Sequence, residues 1–234
     1  MKQSKGLFIN VEGLDFSFKE TNTKRLYNYI KDNITENVIL LSFPNYESKS
    51  SDFVKKYLNG EYGKASEVDP YQASVCYAVD RFDTISKMNI KKKLEEGYIV
   101  ITDRYTGSNL IFQTTKLKDA PYKLTNDYID WAIDFEYNKL KLPKEDITIY
   151  MDMPIKVSHK LMMERKLKNG MSTDGHEENY EFMSNVELIA KKLIIPRLDY
   201  KVVSCVDQDL NIRTEDEIFE DILKVLKNNL STIK

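Results

Sequence analysis

Short apolar runs alternate along this chain with longer stretches in which apolar residues recur every three or four positions. Leu7–Val11, Val38–Phe43, Tyr98–Thr102, Ile147–Met151 and Lys201–Val206 are β-branched, mostly apolar and short. They read as five strands buried on both sides. Between them the helical period predicts Thr21–Asn33, with Leu26 and Ile30 inward, and a short helix at Phe53–Leu58. It also predicts a long helix over Pro70–Glu95 with Pro70 in its first turn, ended by Gly97. Leu124–Leu140, the basic stretch Pro154–Lys168 and Glu177–Leu198 are the next helical segments. The last helix is announced by Thr214 and Glu217 in capping-box spacing, then Phe219, Ile222, Leu223 and Leu226. Strands alternating with helices in this way predict an α/β fold: a five-stranded parallel sheet with helices on both faces.

At 234 residues, with no internal repeat and no flexible linker, the chain reads as a single domain, 1–234. Residues 167–178 are the most loop-like interior stretch. The 35 Lys and Arg against 37 Asp and Glu give a net charge of -2, which argues against nucleic acid as a partner but leaves room for a local phosphate site. Two cysteines, Cys76 and Cys205, make no disulfide framework, and no Cys/His cluster suggests zinc. The apolar run in MKQSKGLFINVEG is too short for a signal peptide, and no stretch approaches the ~20 apolar residues of a membrane span. A cytoplasmic protein without a membrane partner is the expectation.

Three regions carry candidate chemistry. The first strand runs into Val11-Glu12-Gly13-Leu14-Asp15-Phe16-Ser17-Phe18-Lys19-Glu20-Thr21 and then a helix. Backbone N–H groups at such a turn hold phosphate oxygens, and a lysine adds charge there. Gly13 and Lys19 keep the spacing of a phosphate-binding loop. Phe18 stands where its second glycine belongs, and Glu20 where its Ser or Thr belongs. On the motif alone an ordinary strand-to-helix turn with an exposed lysine fits as well. The third strand ends in Asp103-Arg104-Tyr105, followed by Ser108, Asn109 and Gln113. An arginine there grips phosphate bidentately and an aspartate holds magnesium or its waters; a surface ion pair is the plainer alternative. Tyr77 and Arg81 share one helix face, suited to stacking on a base and bonding its edge, or to a core tyrosine and a solvated arginine. Glu164, Arg165, Lys166 and Lys168 precede the Gly170–Gly175 loop, as lid cations or as a solvated helix end. His176 has no neighbour that would give it a role.

Taken in order, FINVEGLDFSFKET, SFPNY, YAVDRFD, ITDRYTGSNLIFQ, LPKEDITIYMDMP and DGHEE resemble the thymidylate kinase family of nucleoside monophosphate kinases over roughly residues 5 to 225. The resemblance implies a P-loop nucleoside monophosphate kinase fold with a lid at about 164–180. It implies transfer of the ATP γ-phosphoryl group to a deoxynucleoside monophosphate such as dTMP, with magnesium, in a homodimer. It puts Asp15 at the acceptor sugar, Tyr77 on the base, Arg81 at a pyrimidine carbonyl and Arg104 on the acceptor phosphate, with Ser108 and Asn109 near the base. Gly13, Ser17, Lys19 and Thr21 fall to the donor and Arg165 to the lid; Asp103, and Glu20 acting in place of the family's hydroxyl, are the candidate metal ligands. Phe16, Phe18 and Glu20 depart from the family's donor loop, and Asn45 and Tyr46 stand where the family often has an arginine. Two readings are open: an active kinase with a modified donor loop, and a non-catalytic nucleotide sensor that keeps the acceptor pocket.

Overall fold

Five strands form one parallel sheet in the order β2-β3-β1-β4-β5: β1 Leu7–Gly13, β2 Val38–Ser42, β3 Ile99–Asp103, β4 Ile147–Asp152 and β5 Lys201–Ser204. The structure is a computed structural model and describes residues 6–169 and 180–231. β1 is central, paired with β3 on one side (Val11 opposite Asp103) and β4 on the other (Gly13 opposite Met151). All seven of its residues are buried. The predicted α/β parallel sheet is therefore what the chain adopts.

The helices are α1 Lys19–Asn33, α2 Asp52–Leu58, α3 Pro70–Lys87, α4 Ile90–Glu95, α5 Thr106–Thr115 and α6 Tyr122–Ile133, then α7 Ile155–Asn169, α8 Tyr180–Ile189, α9 Ile195–Leu198 and α10 Glu215–Ser231. Alternation along the strands divides the core between the two sheet faces. Leu7, Ile9, Val11, Ile99, Ile101, Ile149 and Met151 pack with Leu26 and Ile30 of α1 and with Ile218, Phe219, Ile222 and Leu226 of α10. The alternate residues Phe8 and Val100 face Ile85 and Ile90 of α3 and α4, and Tyr150 faces α5, α6 and α8. Thr214 and Glu217 form the predicted capping box, with Thr214 N donating to Glu217 Oε2 at 2.9 Å and Glu217 N to Thr214 Oγ1 at 3.3 Å.

Several boundaries depart from expectation. Over its described residues the Glu177–Leu198 segment is α8, a π-helical turn Ala190–Ile194 and α9, which carries Pro196 in its first turn instead of ending there. The long helix over Pro70–Glu95 is two helices, because Asn89 takes a left-handed conformation (φ 52°) that ends the first and starts the second. Leu124–Leu140 becomes α6 followed by a π-helical turn, Asp134–Lys139. The strand over Lys201–Val206 stops at Ser204. Thr106–Thr115, expected only as a run of site residues, is a helix. Of the predicted lid, residues 170–179, with His176, lie outside the described residues.

Candidate active site

The loops that follow β1, β2 and β3 meet at the carboxyl edge of the sheet, where parallel α/β folds bind ligands. Gly13 ends β1 at φ 149°, and a Cβ there would meet Met151 O and Ser17 Oγ, each at 2.8 Å. Only glycine fits such a position. The chain then wraps around the Leu14 carbonyl, which accepts from Ser17 Oγ at 2.7 Å and from Lys19 Nζ at 2.8 Å. Phe16 (φ 58°) and Phe18 (φ 59°) both adopt the left-handed region. They are the two positions where the sequence departs from small residues, so the loop keeps a glycine-like backbone without glycine. The cost is about 1–2 kcal/mol at each. Phe18 recovers part of it by packing its ring against the main core beneath α1. Lys19, buried against Arg104, has its pKa lowered to about 8, by burial first and then by the Arg104 charge; Asp15, Asp103 and Glu12 partly offset this.

Arg104 begins the β3–α5 connection at φ 65°, its N–H donating to Val11 O at 3.0 Å. Its guanidinium donates to Gly13 O at 3.1 Å, to Ser108 Oγ at 3.0 Å and to Asp15 in a close ion pair. Burial works against its charge, but Asp15, Asp103 and Glu12 together raise its pKa above the usual arginine value. Arg104, Asp15, Ser108 and Lys19 are thus gathered at one point. Behind them lies Glu12, which the sequence reading passed over. Its buried carboxylate accepts from Tyr105 N at 2.9 Å, Ser108 N at 3.0 Å and Asn10 Nδ2 at 3.1 Å, and from the Ser108 hydroxyl. A carboxylate at the start of α5 complements the helix dipole. It holds the helix that carries Ser108, Asn109 and Gln113.

Arg104, Ser108, Asn109 and Gln113 line a cavity of about 310 Å³ with Asp15, Asp103, Tyr77 and Arg81; Lys19 and Glu12 lie outside its lining. Phe43, Pro44, Tyr46, Leu58 and Phe112 complete its apolar wall. Tyr46 and Phe112 had no expected role. Asp80, next to Arg81 on α3, accepts from Asn45 N at 2.8 Å and from Ser50 Oγ at 3.0 Å, pinning the segment that carries Tyr46. Arg81 is not solvated. It is buried and donates Nε to Glu136 Oε2 at 2.6 Å and Nη2 to Glu136 Oε1. Burial opposes its charge, and Glu136, by charge and hydrogen bond, raises its pKa above the usual value. Glu136 was also missed. It continues the buried stripe Thr125, Tyr128, Ile129, Ala132 of α6, where a carboxylate among core positions is the signal that would have found it.

The other expected residues are placed differently. Thr21 is exposed on the first turn of α1 and does not line this cavity. Glu20 is exposed and pairs with Lys24 at 2.6 Å. Arg165 lies on α7, and its side chain is outside the described residues. Among the described residues no three His, Cys, Asp or Glu side chains gather as a metal cluster. Magnesium does not require one, since it is commonly held by one or two carboxylates and substrate phosphates. Asp103 Oδ1 is buried without a hydrogen-bond partner and is an oxygen suited to it.

A central parallel strand running into a Gly13–Lys19 loop, with an aspartate–arginine pair after the neighbouring strand, defines a P-loop nucleoside monophosphate kinase fold. The family profile described as thymidylate kinase matches residues 11–211, and the chain belongs to the thymidylate kinase family. A thymidylate kinase of Mesoplasma florum is 25% identical over 97% of this chain and 98% of its own length. A probable thymidylate kinase of Thermococcus kodakarensis is 30% identical over 70% of this chain and 74% of its own. The solved thymidylate kinase of Candida albicans superposes with a TM-score of 0.70 over 98% of this chain and 94% of that one, at 19% identity. That of Ehrlichia chaffeensis gives 0.62 at 21% identity, over 94% of this chain and 98% of its own. None of these relatives supports a non-catalytic sensor. Among the described residues no helix is long and apolar enough to cross a membrane.

Proposed function

We propose that this protein is an active kinase that transfers the γ-phosphoryl group of ATP to dTMP. The observation that carries the reading is the cavity itself, with an aromatic ring, an arginine and an asparagine at one end and Arg104 beside Asp15 at the other. The Tyr77 ring stacks on the base, and Arg81 and Asn109 meet its edge. Ser108 fixes the Arg104 side chain that turns to the acceptor phosphate. Asp15 gives up its ion pair with Arg104 and orients the acceptor sugar. Gly13, Ser17 and the backbone to Thr21 line the donor side. Lys19 stays protonated on meeting the anionic donor phosphates, which raise its lowered pKa. Magnesium, when bound, would supply positive charge to offset that of the donor phosphates, and Asp103 is the side chain that would hold it or its waters. Glu20 joins only by leaving Lys24. Arg165 and the stretch at about 164–180 form the lid of a single domain spanning 1–234.

Chain pairing is part of the reading. Tyr71, Val75, Val79 and Phe82 recur every three or four residues on α3 and are each at least 36% exposed. An exposed apolar stripe of this kind suits a second copy of the same helix in a homodimer. Free Cys76 and Cys205 suit a reducing cytoplasm. The test is incubation with ATP, magnesium and a panel of nucleoside monophosphates, with diphosphates separated by ion exchange. dTDP is the expected main product, and no diphosphate from any pyrimidine would overturn the reading.

A further inference from the structure

Two carboxyl groups meet the start of α5, and their contacts differ in kind. Glu12, in β1, accepts from Tyr105 N, Ser108 N and the Ser108 hydroxyl, and these contacts need no proton of its own. Glu145, in the loop before β4, is half-buried and reaches the same turn through Thr106. Its Oε1 lies 3.1 Å from Thr106 Oγ1 and its Oε2 lies 2.6 Å from Tyr137 Oη. Thr106 and Tyr137 are themselves in close hydrogen-bond contact. The three side chains therefore close a ring of oxygen contacts. The threonine and tyrosine hydroxyls bring one proton each, enough for two of the three contacts. With an ionised Glu145 one contact always sets lone pair against lone pair. With a neutral Glu145 every contact is bridged: its acid proton goes to Tyr137, the Tyr137 proton to Thr106, and the Thr106 proton to Glu145 Oε1.

The surroundings favour the same form. Glu12 repels a second negative charge, and Tyr105 and Tyr200, whose hydroxyls feel Glu145, bring no positive one. The Arg81 charge reaches Tyr105 and Tyr137 but is paired with Glu136. In the loop itself Lys144 and Asp146 are exposed, and Asp146 accepts from Phe8 N at 2.9 Å. Desolvation raises the Glu145 pKa to about 7. The ring also joins two elements that shape the cavity. Thr106 opens α5, which carries Ser108 and Asn109, and Tyr137 follows Glu136 on the π-helical turn that holds Arg81.

We propose that Glu145 is a positioning residue that keeps the cavity in shape as a neutral acid, its proton closing the ring that ties the first turn of α5 to the π-helical turn. When that proton passes to solvent at alkaline pH, the ring keeps two bonds of three and a second negative charge arrives near Glu12. The seat of Ser108 and Asn109 loosens, and the acceptor binds less well. The inference rests on the cavity taking a pyrimidine monophosphate.

The test is calorimetric titration of dTMP into the full chain and into Glu145→Gln, which keeps a donor and an acceptor at every pH. It is run at about pH 6 and about pH 8.5, on either side of the Glu145 titration. Lys19 and the dTMP phosphate titrate in the same range in both proteins, so the reading is the ratio of variant to parent affinity. Glu145→Gln is expected to match the parent within about twofold at the lower pH and to bind about 3- to 10-fold tighter than it at the higher, the range of one hydrogen bond. A glutamate that only fills space gives one ratio at both pH values, and that result overturns the inference. Infrared spectra of the parent are expected to show a protonated carboxyl band at the lower pH that Glu145→Gln lacks; no such band also overturns it. If Glu145→Gln does not fold, Tyr137→Phe decides, because it opens the ring at every pH. The parent should then bind tighter than Tyr137→Phe at the lower pH and lose that advantage at the higher, and a constant ratio overturns the inference. A parent that binds dTMP with a constant ratio refutes this inference and leaves the kinase reading standing. A parent that binds no pyrimidine monophosphate refutes both.

Discussion

On the proposed acceptor side, Ser108, Asn109 and Arg81 are held by two buried carboxylates, Glu12 and Glu136, and Arg104 by Asp15 and Ser108. On the donor side, Phe16 and Phe18 hold a left-handed backbone with no side-chain cap on α1. The first region is shaped mainly by polar contacts to these two carboxylates, although Arg104 is itself left-handed there, and the second by two left-handed residues balanced against the burial of a ring. Residues in such backbone regions collect where surrounding structure over-determines them, and functional loops are the usual place. The difference teaches that a strand-to-helix loop of this kind is defined by its backbone path. Residue types that look disabling in the one-letter sequence are compatible with that path when the core supports one of them.

The sharpest way to break this comparison is at Arg104. Arg104→Ala should lower kcat/KM for dTMP by about 100- to 1000-fold, the usual loss on removing one charge-stabilising donor. The thermal midpoint should move little, because Asp15 is half exposed and solvates readily. Steady-state kinetics with a melting curve checks this, and parent-like turnover would remove Arg104 from the site.

A pH titration probes the packing at the start of α5 next. Glu145 is half-buried, hydrogen-bonded by Tyr137 Oη at 2.6 Å and Thr106 Oγ1 at 3.1 Å, and desolvation raises its pKa to about 7. The folded protein therefore holds a proton on Glu145 that the unfolded chain releases near 4.5. Its contribution is fully present below about pH 4.5, declines as pH rises and is lost above about pH 7, at about 1.4 kcal/mol per pH unit inside that window. Urea unfolding at a series of pH values should show this decline, and Glu145→Gln should flatten it. An identical slope in parent and variant would show that Glu145 ionises normally.

The donor loop yields two smaller effects. Phe18→Gly releases left-handed strain but removes a packed ring and adds backbone freedom, for a net loss of about 1 kcal/mol. A stability gain in urea would mean that the ring supports nothing. Glu20→Gln breaks an exposed i,i+4 pair with Lys24 and should change stability by less than about 0.5 kcal/mol. If it changes the magnesium dependence of ATP binding, Glu20 has left Lys24 to join the donor site.

Much of this was legible before the structure, and the gaps have physical causes. The strands were readable because each is a short apolar run in a sheet buried on both faces. Tyr77, Arg81, Arg104, Ser108 and Asn109 were readable from their order along the chain, and they do line one cavity. Helix α5 was not, because TGSNLIFQTT is poor in helix-forming residues. It is held by the Glu12 carboxylate, a partner 93 residues away from Tyr105 in sequence that no local pattern reveals. The buried ion pair of Arg81 was not legible for the same reason, since its partner Glu136 is 55 residues distant. The positive φ of Phe16 and Phe18 contradicts local preference and is visible only with the core in place.

The central claim is that the strained loop still receives a triphosphate. Calorimetric titration of a non-hydrolysable β,γ-imido ATP analogue, with and without magnesium, into the parent and Lys19→Ala tests it most directly. We expect saturable binding by the parent, strengthened by magnesium and weakened about tenfold or more in Lys19→Ala, as for loss of a charge-assisted contact to phosphate. No binding by the parent, or equal binding by Lys19→Ala, would contradict it.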